Sequence, residues 1–423
     1  MNKRSVAAAT LGCKVNYYET EAMLKLFAEK GYEIVDFSAK ADVYIINTCT
    51  VTNLGDKKSR QMIRRAVKAN SEAVIAAVGC YVQAEPESVA QIEGVDVLLG
   101  TKDKNRIVEI VEGAEHANIS RFGAAEDFES LSIDRMGDRQ RAFLKIQDGC
   151  DRFCAYCVVP YVRGPVRSRR LGDIVKEAET LAKNGYKEIV LSGIHVSSYG
   201  RGFEIGLIDA IESVSRVNGI ERLRLSSLEP TTITPDFVER ISRITKICDH
   251  FHLSLQSGCE KTLRSMDRRY TPAEYETAVK MLKAAFPDVS VTTDVIAGFP
   301  GESEKDFWES YEFCKNAGLS RMHVFPFSAK KRTKAFGMQG QVSAHDKAQR
   351  VKELLELSEV LYAGFVNNFI GKQKPVLFEG KIGNTNSYAG RTTNYIAVAE
   401  TFDADVSGMI LPFLISGKIL KFE

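Results

Sequence analysis

The chain has 423 residues, 44% of them hydrophobic and 26% charged, which allows roughly two to four globular domains with large cores. Its 57 lysines and arginines nearly balance its 55 aspartates and glutamates, so the net charge of +2 gives no argument for nucleic-acid binding. The apolar stretch after Arg4 is too short for an export signal, and the other apolar runs are too short to cross a bilayer. We therefore expect a cytoplasmic protein with no membrane partner, whose cysteines are ligands or nucleophiles rather than disulfides.

Residues 1–115 alternate strand-like apolar runs with helical periods. Three of these runs, SVAAATLGC, ADVYIINTC and AVIAAVGC, end at Cys13, Cys49 and Cys80. Strand–helix alternation favours a parallel sheet with right-handed crossovers, and the ligands of such sheets collect beyond the carboxyl ends of the strands. We therefore expect an α/β fold in which the three cysteines converge at one edge of the first sheet. For any single cysteine the alternative is a small buried residue, but that explanation is weak for all three together.

The rest of the chain divides into three further segments. Residues 116–138 are polar and have no sustained period, which predicts a linker. Residues 139–370 contain about six strand–helix units and then a long helix, and six units predict an open, partial (β/α)6 barrel with its active site at the strand C-terminal ends. Residues 371–423 carry short runs rich in Val, Ile, Tyr and Phe between turns, which predicts a small antiparallel β-barrel.

A second set of cysteines follows the first predicted barrel strand. The sequence DGCDRFCAYCVVP places Cys150, Cys154 and Cys157 in a C-x3-C-x2-C spacing. Cysteines spaced in this way on one loop can bind three corners of a [4Fe–4S] cube and leave one iron open. Zinc sites more often have paired C-x2-C units or added histidine, and no histidine follows Cys157 before His195. The two sets thus predict two iron–sulfur clusters; a non-catalytic RNA-binding protein with zinc in one or both sets is the alternative.

The whole chain resembles the radical S-adenosylmethionine methylthiotransferase family. The motifs that carry the resemblance are TLGCKVN, NTCTVTN, VGCYVQ, DGCDRFCAYCVVPYVRGPVRSR, LQSGCEKTLRSM and DVIAGFPGE. The resemblance implies an auxiliary [4Fe–4S] cluster on the first cysteine set, a radical [4Fe–4S] cluster on the second set, and a C-terminal RNA-binding TRAM domain. It also implies S-adenosylmethionine as a cofactor, which the radical cluster would cleave to a 5′-deoxyadenosyl radical.

Two motifs indicate the substrate within that family. GCKVN and NTCTVT are similar to the subfamily that inserts a methylthio group at C2 of N6-threonylcarbamoyladenosine, next to the tRNA anticodon. Enzymes for isopentenyladenosine usually have GCQMN, and those for a ribosomal-protein aspartate have GCPKN, so Lys14 and Val15 carry much of this assignment. Both other substrates remain alternatives. The implied partners are a tRNA anticodon stem-loop and an electron donor such as a flavodoxin or ferredoxin.

Several polar residues at predicted strand ends of the barrel are candidates for contacts with S-adenosylmethionine: Gly193, Glu229, Ser254, Gln256 and Asp294. Ser254 and Gln256 are two residues apart on a predicted strand, so they are expected to face the same side. A turn glycine and surface carboxylates are the alternatives for the other three positions.

Basic and aromatic residues are candidates for RNA contacts. Arginines after the second cysteine set and lysines after Cys49 can meet tRNA phosphates, although solvated helix charge explains the lysines about equally well. These candidates are Arg163, Arg167, Arg169, Arg170, Lys57 and Lys58. In the predicted C-terminal domain, Tyr388 and Tyr395 are candidates for stacking on bases, or else core residues.

Overall fold

The computed structural model describes residues 3–113, 117–123 and 126–416. The strands of the first sheet are β1 (Ser5–Thr10), β2 (Glu33–Ile34), β3 (Val43–Thr48), β4 (Val74–Gly79), β5 (Val97–Leu99) and β6 (Ala117–Asn118). The helices of this part are α1 (Lys14–Glu29), α2 (Asn53–Ala69), α3 (Cys80–Ala84), α4 (Pro86–Ala90) and α5 (Ile107–Glu112). All strand pairs are parallel, in the order β2-β1-β3-β4-β5-β6.

Helices cover both faces of this sheet. All six residues of β3 are buried. One face packs with Met23 and Phe27 of α1, and the opposite face packs with Ile63 and Ala66 of α2. Burial on both faces explains why the strands are continuous apolar runs rather than alternating ones.

The central region is an open barrel. Its strands are β7 (Arg141–Asp148), β8 (Arg167–Ser168), β9 (Glu188–Gly193), β10 (Arg222–Leu225), β11 (His250–His252), β12 (Ser290–Ala297) and β13 (Arg321–Pro326). The helices are α6 (Val159–Arg163), α7 (Leu171–Lys183), α8 (Leu207–Ser215), α9 (Pro235–Ser242), α10 (Glu260–Ser265), α11 (Pro272–Ala285) and α12 (Glu304–Asn316). Short 3-10 turns occur at Lys104–Arg106, Val196–Ser198, Pro230–Thr232 and Lys334–Gly337.

The barrel consists of two hydrogen-bonded sheets, β10-β9-β7-β8 and β11-β12-β13. Parallel bridges from Leu223 to Ile247 and from Leu228 to Leu253 join the sheets between β10 and β11. Except for the short antiparallel β8, the strands run parallel, as the six predicted strand–helix units require. The predicted partial barrel is confirmed.

Local signals at the start of several barrel helices explain where those helices begin. Thr271 and Glu274 form a capping box at α11, with Pro272 at the first helical position. Ser303 and Asp306 form the equivalent box at α12. The side chain of each N-cap residue accepts a hydrogen bond from a backbone N–H group that the helix leaves unpaired.

The C-terminal part starts with the long helix α13 (Ala344–Asn367), which packs against β13. The strands that follow are β14 (Gln373–Lys381), β15 (Ser387–Thr392), β16 (Ala397–Thr401) and β17 (Ile410–Leu414). They form an antiparallel sheet in the order β16-β15-β14-β17, consistent with the predicted antiparallel C-terminal domain. Tyr388 is 1% exposed in the core of this sheet, so of its two predicted roles the structure supports the core residue and not stacking on RNA.

Part of the predicted linker is packed into the molecule. Leu131, Ile133 and Met136 are buried in the same core as the barrel strands. The Oη of Tyr18 donates a hydrogen bond to the carbonyl of Leu131 at 2.8 Å. This segment therefore ties α1 to the barrel, while the domain boundaries at 115, 138 and 370 stay predictions. Within the described ranges, no helix combines the length and apolarity needed to cross a membrane.

Candidate active site

The first cysteine set lies at one edge of the first sheet. Thr48 at the end of β3 pairs with Gly79 at the end of β4, so the residues that follow, Cys49 and Cys80, are neighbours. Cys13 is the N-cap residue of α1, just after the adjacent strand β1. The predicted convergence at strand carboxyl ends thus follows from the parallel register.

Close backbone packing holds this edge together. Gly12 has a φ of +99°, and a Cβ built on it would lie 2.9 Å from Cys49 Cβ and 3.0 Å from Cys49 Sγ. Burial, followed by the thiols of Cys80 and Cys13, raises the pKa of Cys49 to about 12. The three thiols are therefore near enough to act on one another, as the ligands of one group must be.

The second cysteine set lies on the loop after β7. Cys157 N donates to the carbonyl of Cys154 at 2.9 Å, and Cys150 N donates to the carbonyl of Gly164 at 3.0 Å. Burial, followed by the thiol of Cys154, raises the pKa of Cys157 to about 12. Burial also raises the pKa of Cys150 to about 11, with Cys154 acting in the same direction. These three thiols are therefore also near enough to act on one another.

The geometry of the thiols suits a cluster better than a single ion. Among the residues that the structure describes, no three His, Cys, Asp or Glu side chains lie close enough together to hold one metal ion. Each set nevertheless offers three sulfur donors, the preferred ligands of a four-iron cube, with one corner left for another group. Each donor set would therefore fit a [4Fe–4S] cluster, with three thiolates on three of its corners.

A polar cluster lies beside Cys154. Arg268 Nη1 donates to Cys154 Sγ at 3.2 Å, and Arg268 Nη2 lies 3.4 Å from Glu229 Oε1. Glu229 Oε2 also lies 2.6 Å from Arg152 Nη2 and 3.3 Å from His195 Nε2. Burial alone would raise the pKa of Glu229, but His195, Arg268 and Arg152 lower it to about 2. The predicted candidate Glu229 is thus an anion held beside the second cysteine set.

The sequence did not single out Arg152, His195 or Arg268. Arg152 lies within the cysteine loop itself, so its position was a usable signal. His195 follows Gly193 at the end of β9, where strand-end polar residues are candidates. Arg268 lies in a loop after α10 and has no sequence signal, because its contact with Cys154 depends on tertiary structure.

Three predicted cofactor contacts, Gly193, Ser254 and Gln256, have a different environment from the expected one. A Cβ on Gly193 would lie 2.9 Å from Gln147 Oε1, so this glycine is required by packing against β7. Strand β11 ends at His252, before Ser254 and Gln256. Gln256 has a φ of +70°, so the expectation that both residues share one regular strand face is wrong. The left-handed backbone at Gln256 turns the chain and breaks the period of two.

Asp294 lies inside the barrel. On β12, Val291 and Val295 pack into the hydrophobic core, so the alternate residue Asp294 faces the interior. Asp294 Oδ2 lies 3.3 Å from His252 Nε2, and the ring of His252 is 5.7 Å from that of His323. Burial raises the pKa of Asp294, but His252, His323 and Lys14 outweigh it and lower the value. Lys14, the first residue of α1, is therefore near enough to Asp294 for its charge to act on that carboxylate.

The structure divides the predicted RNA-binding residues into two groups. Arg163, Arg167 and Arg169 are 0%, 6% and 7% exposed, so they do not offer their charge to phosphates. Arg169 Nη2 is instead paired with Glu177. Arg170, Lys57 and Lys58 are exposed and stay candidates. The number of arginines in a segment does not show which of them are exposed. For this reason the sequence wrongly indicated RNA contacts for Arg163, Arg167 and Arg169.

The open barrel with a three-cysteine loop at its strand ends defines the class of the protein. The model of the Radical SAM superfamily matches residues 144–314. The structure is similar to that of the radical S-adenosylmethionine methyltransferase TsrM from Kitasatospora setae, with a TM-score of 0.58 over 77% of this chain and 75% of that chain. The two sequences are 13% identical, so this likeness concerns the fold.

Sequence relatives define the family. The model of Uncharacterized protein family UPF0004 matches residues 5–100. The threonylcarbamoyladenosine tRNA methylthiotransferase MtaB of Bacillus subtilis (strain 168) is 41% identical, over 99% of this chain and 94% of the relative. A tRNA-2-methylthio-N(6)-dimethylallyladenosine synthase of Clostridium perfringens (strain SM101 / Type A) is 33% identical, over 100% and 99%. The chain belongs to the radical S-adenosylmethionine methylthiotransferase family and is an enzyme of that family.

Proposed function

We propose that the protein is a tRNA methylthiotransferase that inserts a methylthio group at C2 of N6-threonylcarbamoyladenosine, next to the anticodon, and uses two [4Fe–4S] clusters. The observation that carries the proposal is the meeting of two three-cysteine sets at one interface. Cys80 and Ala84 of α3 pack with Val158 and Val162, which lie at the start of α6 and within it, just after the second set. A reaction that joins radical chemistry to sulfur delivery requires two such sites side by side.

The relatives support the same reaction on tRNA. The Bacillus subtilis relative is named for threonylcarbamoyladenosine, and the Clostridium perfringens relative for dimethylallyladenosine. The former has the higher identity, 41% against 33%. Both names describe methylthio transfer to a modified adenosine in tRNA, so they differ only in the group carried at N6.

The residues of the second set would hold the radical cluster, and those of the first set the auxiliary cluster. When bound, the clusters supply one-electron chemistry for activating the adenine C2–H bond, together with the sulfur for transfer. Around them, Arg268 donates to the thiol of Cys154 and so fixes the side of the cysteine loop that faces the barrel. Glu229 holds Arg268, Arg152 and His195 in place beside that loop. These contacts orient the site before substrate arrives.

Charge inside the barrel supports the threonylcarbamoyl substrate. That group ends in a carboxylate, whereas an isopentenyl group is apolar throughout. His252 lies 3.3 Å from Asp294 on the inner side of β12, His323 lies next to His252, and the charge of Lys14 acts on Asp294, so this side of the barrel is polar and suits a charged, hydrogen-bonding group better than an apolar one. We assign Lys14 to the carboxylate because an ammonium group is its natural partner.

Mass spectrometry of tRNA nucleosides tests the proposal. A host that lacks this gene should lose 2-methylthio-N6-threonylcarbamoyladenosine and regain it when the gene is restored. If the methylthio form of isopentenyladenosine disappears instead, the chemistry holds and the substrate assignment fails. If no methylthio nucleoside changes, tRNA is not the substrate, and a ribosomal-protein aspartate becomes the next candidate.

Variants of the two cysteine sets separate their roles. Cys154→Ala should abolish both 5′-deoxyadenosine and methylthio product, because the second set would hold the cluster that S-adenosylmethionine cleavage requires. Cys49→Ala should still cleave S-adenosylmethionine but give no methylthio product. Cys314→Ala is a matched control, since Cys314 is fully buried in the barrel core away from both sets. Methylthio product from Cys49→Ala at the wild-type rate would refute the auxiliary role.

A further inference from the structure

One buried guanidinium connects the two cysteine sets. Arg163 is the last residue of α6, six positions after Cys157, and its side chain is fully buried. Its Nε donates a hydrogen bond to Cys80 Sγ at 3.3 Å. Cys80 begins α3, directly after strand β4 of the first sheet, and Arg163 ends α6 in the barrel region. The short segment that carries the second cysteine set therefore also supplies a direct neighbour to the first set.

The other donors of Arg163 are also occupied. Nη1 donates to Glu19 Oε1 at 2.5 Å and to Asp148 Oδ2 at 3.4 Å. Nη2 donates to Asn16 Oδ1 at 2.6 Å and to Glu19 Oε2 at 3.1 Å. Because the guanidinium is planar and rigid, these contacts on both Nη atoms fix the direction of Nε toward Cys80. The hydrogen bond from Arg163 to the Cys80 sulfur is thus fixed by the other contacts of the guanidinium.

A buried ion network lies beside Cys80 and contacts it through Arg163. Direct ion pairs join four buried cations to two buried carboxylates: Arg163, Lys104, Lys145 and Arg167 with Glu19 and Asp148. Glu129 is a third carboxylate that acts on this group from nearby. The cations still outnumber the carboxylates. A cysteine that binds iron does so as a thiolate, so the excess of positive charge favours an anionic centre at Cys80.

We propose that Arg163 is a positioning residue of the auxiliary site, which raises the reduction potential of a cluster on the first cysteine set through its hydrogen bond to Cys80. This inference rests on the proposed function, because it requires a cluster on that set. Hydrogen bonds to cluster sulfurs and the net charge around them set the potential of iron–sulfur clusters. The auxiliary site is therefore complete only when the radical barrel is docked against the first sheet.

The test measures the auxiliary cluster alone. Full-length protein with Cys150→Ala, Cys154→Ala and Cys157→Ala is reconstituted with iron and sulfide, so that any cluster signal comes from the first set. Its midpoint potential is then followed by electron paramagnetic resonance with and without Arg163→Met. We expect a shift to lower potential by at least tenfold in the reduction equilibrium, about 59 mV for one electron.

Two further variants show whether the effect is specific. Arg163→Lys keeps the charge but loses the planar donor, so a smaller shift in the same direction is expected. Arg216→Met is the matched control and should leave the potential unchanged, because the Arg216 side chain is 77% exposed on α8. If Arg163→Met does not fold, Arg163→Lys decides, and a shift to lower potential that Arg216→Met does not show supports the inference.

The outcomes separate this inference from the proposed function. A folded Arg163→Met or Arg163→Lys protein with wild-type potential would overturn the inference, even if the variant is less stable. If the protein without the second cysteine set binds no iron–sulfur cluster, the two-cluster function itself fails. With both clusters present, Arg163→Met should keep 5′-deoxyadenosine formation and form methylthio product more slowly, with Arg163→Lys between it and the wild type, a split that simple destabilisation would not produce.

Discussion

Gly12 packs so closely against Cys49 that a side chain at position 12 would disturb the first cysteine set. An added Cβ would lie 2.9 Å from Cys49 Cβ, closer than real Cβ contacts, and 3.0 Å from Cys49 Sγ, so Cys49 would have to shift. Gly12→Ala should therefore displace Cys49, and if the protein holds the two proposed clusters, it should lose about four of roughly eight irons per chain. Iron analysis and the absorption spectrum of reconstituted protein measure this loss.

Gly31 provides the matched control for that variant. It has a similar positive φ of +87°, but a Cβ there would meet nothing within 4 Å. Gly31→Ala should therefore cost only the backbone strain, about 1 kcal/mol of unfolding free energy, and keep all the iron. Equal iron loss in both variants would show that backbone strain, rather than contact with Cys49, is responsible.

The proposed preference for threonylcarbamoyladenosine depends on Lys14. If its ammonium group pairs with the threonylcarbamoyl carboxylate, Lys14→Gln should lower kcat/KM for tRNA bearing that group by roughly 10- to 100-fold, the range of a charge-assisted hydrogen bond. Lys14→Arg should retain part of the activity. Formation of 5′-deoxyadenosine without tRNA should be unaffected if Lys14 reads only the substrate.

Lys30→Gln is the control for this variant, since Lys30 is exposed at the opposite end of α1. Steady-state assays with anticodon stem-loops bearing threonylcarbamoyladenosine or unmodified adenosine show whether selectivity changes. If Lys14→Gln prefers the modified stem-loop as strongly as the wild type does, another residue reads the carboxylate.

The helix α1 could be predicted from the sequence, but the buried ion pairs of its residue Glu19 could not. Its amphipathic period predicts a helix, yet Glu19 on that helix is completely buried, between Lys104, Lys145 and Arg163. These partners are 85, 126 and 144 residues away in the sequence. Local periodicity specifies strands and helices, and strand-end spacing specifies the cysteine sets. A pairing between distant charged residues depends on how two sheets dock, which no local pattern encodes.

Glu19→Gln should destabilise the docking of α1. Burial raises the pKa of Glu19, but Arg163, Lys104 and Lys145 hold it well below its usual range. Removing the charge leaves these buried cations short of a partner, which should lower the unfolding free energy by about 3–5 kcal/mol. Guanidinium titrations followed by circular dichroism measure the change, and Lys104→Met in the same background should restore part of it.

Glu239→Gln is the surface comparison for this prediction. Glu239 pairs with Arg243 one helical turn away, and both side chains are more than half exposed. Its loss should therefore change stability by less than about 0.5 kcal/mol. A similar effect from Glu19→Gln and Glu239→Gln would mean that the buried cluster contributes little to stability.

The C-terminal sheet closes the end of the barrel that lies opposite the cysteine sets. Arg222 and Arg224, at the start of β10, donate hydrogen bonds to backbone carbonyls of the C-terminal sheet, including those of Arg391 at 3.0 Å and Thr393 at 3.0 Å. Tyr395 from that sheet stacks on His250 with ring centroids 4.4 Å apart. The barrel thus has the second cysteine set at the carboxyl ends of its strands and the C-terminal sheet at their amino ends. The prediction that Tyr395 stacks on RNA is not supported, because the barrel occupies its ring face.

Ionisation of Tyr395 should strengthen this contact at high pH. The charged groups that face Tyr395 from the neighbouring strands are Arg141, Arg224, Arg391, His250, Glu188 and Glu379. Burial raises the pKa of Tyr395, but the three arginines outweigh it and lower the value to about 8. A titration of tyrosinate absorbance should therefore show a group with a midpoint near pH 8 that is missing from Tyr395→Phe.

The sign of the stability change follows from this lowered pKa. Below pH 8 the hydroxyl is protonated in both folded and unfolded protein, so its ionisation contributes nothing. Between pH 8 and 10 the folded protein loses the proton first, and the stability difference between wild type and Tyr395→Phe should grow by roughly 2–3 kcal/mol. Guanidinium titrations of both proteins across this range measure that difference. A difference that stays constant or shrinks as the pH rises would show that the three arginines do not stabilise the tyrosinate.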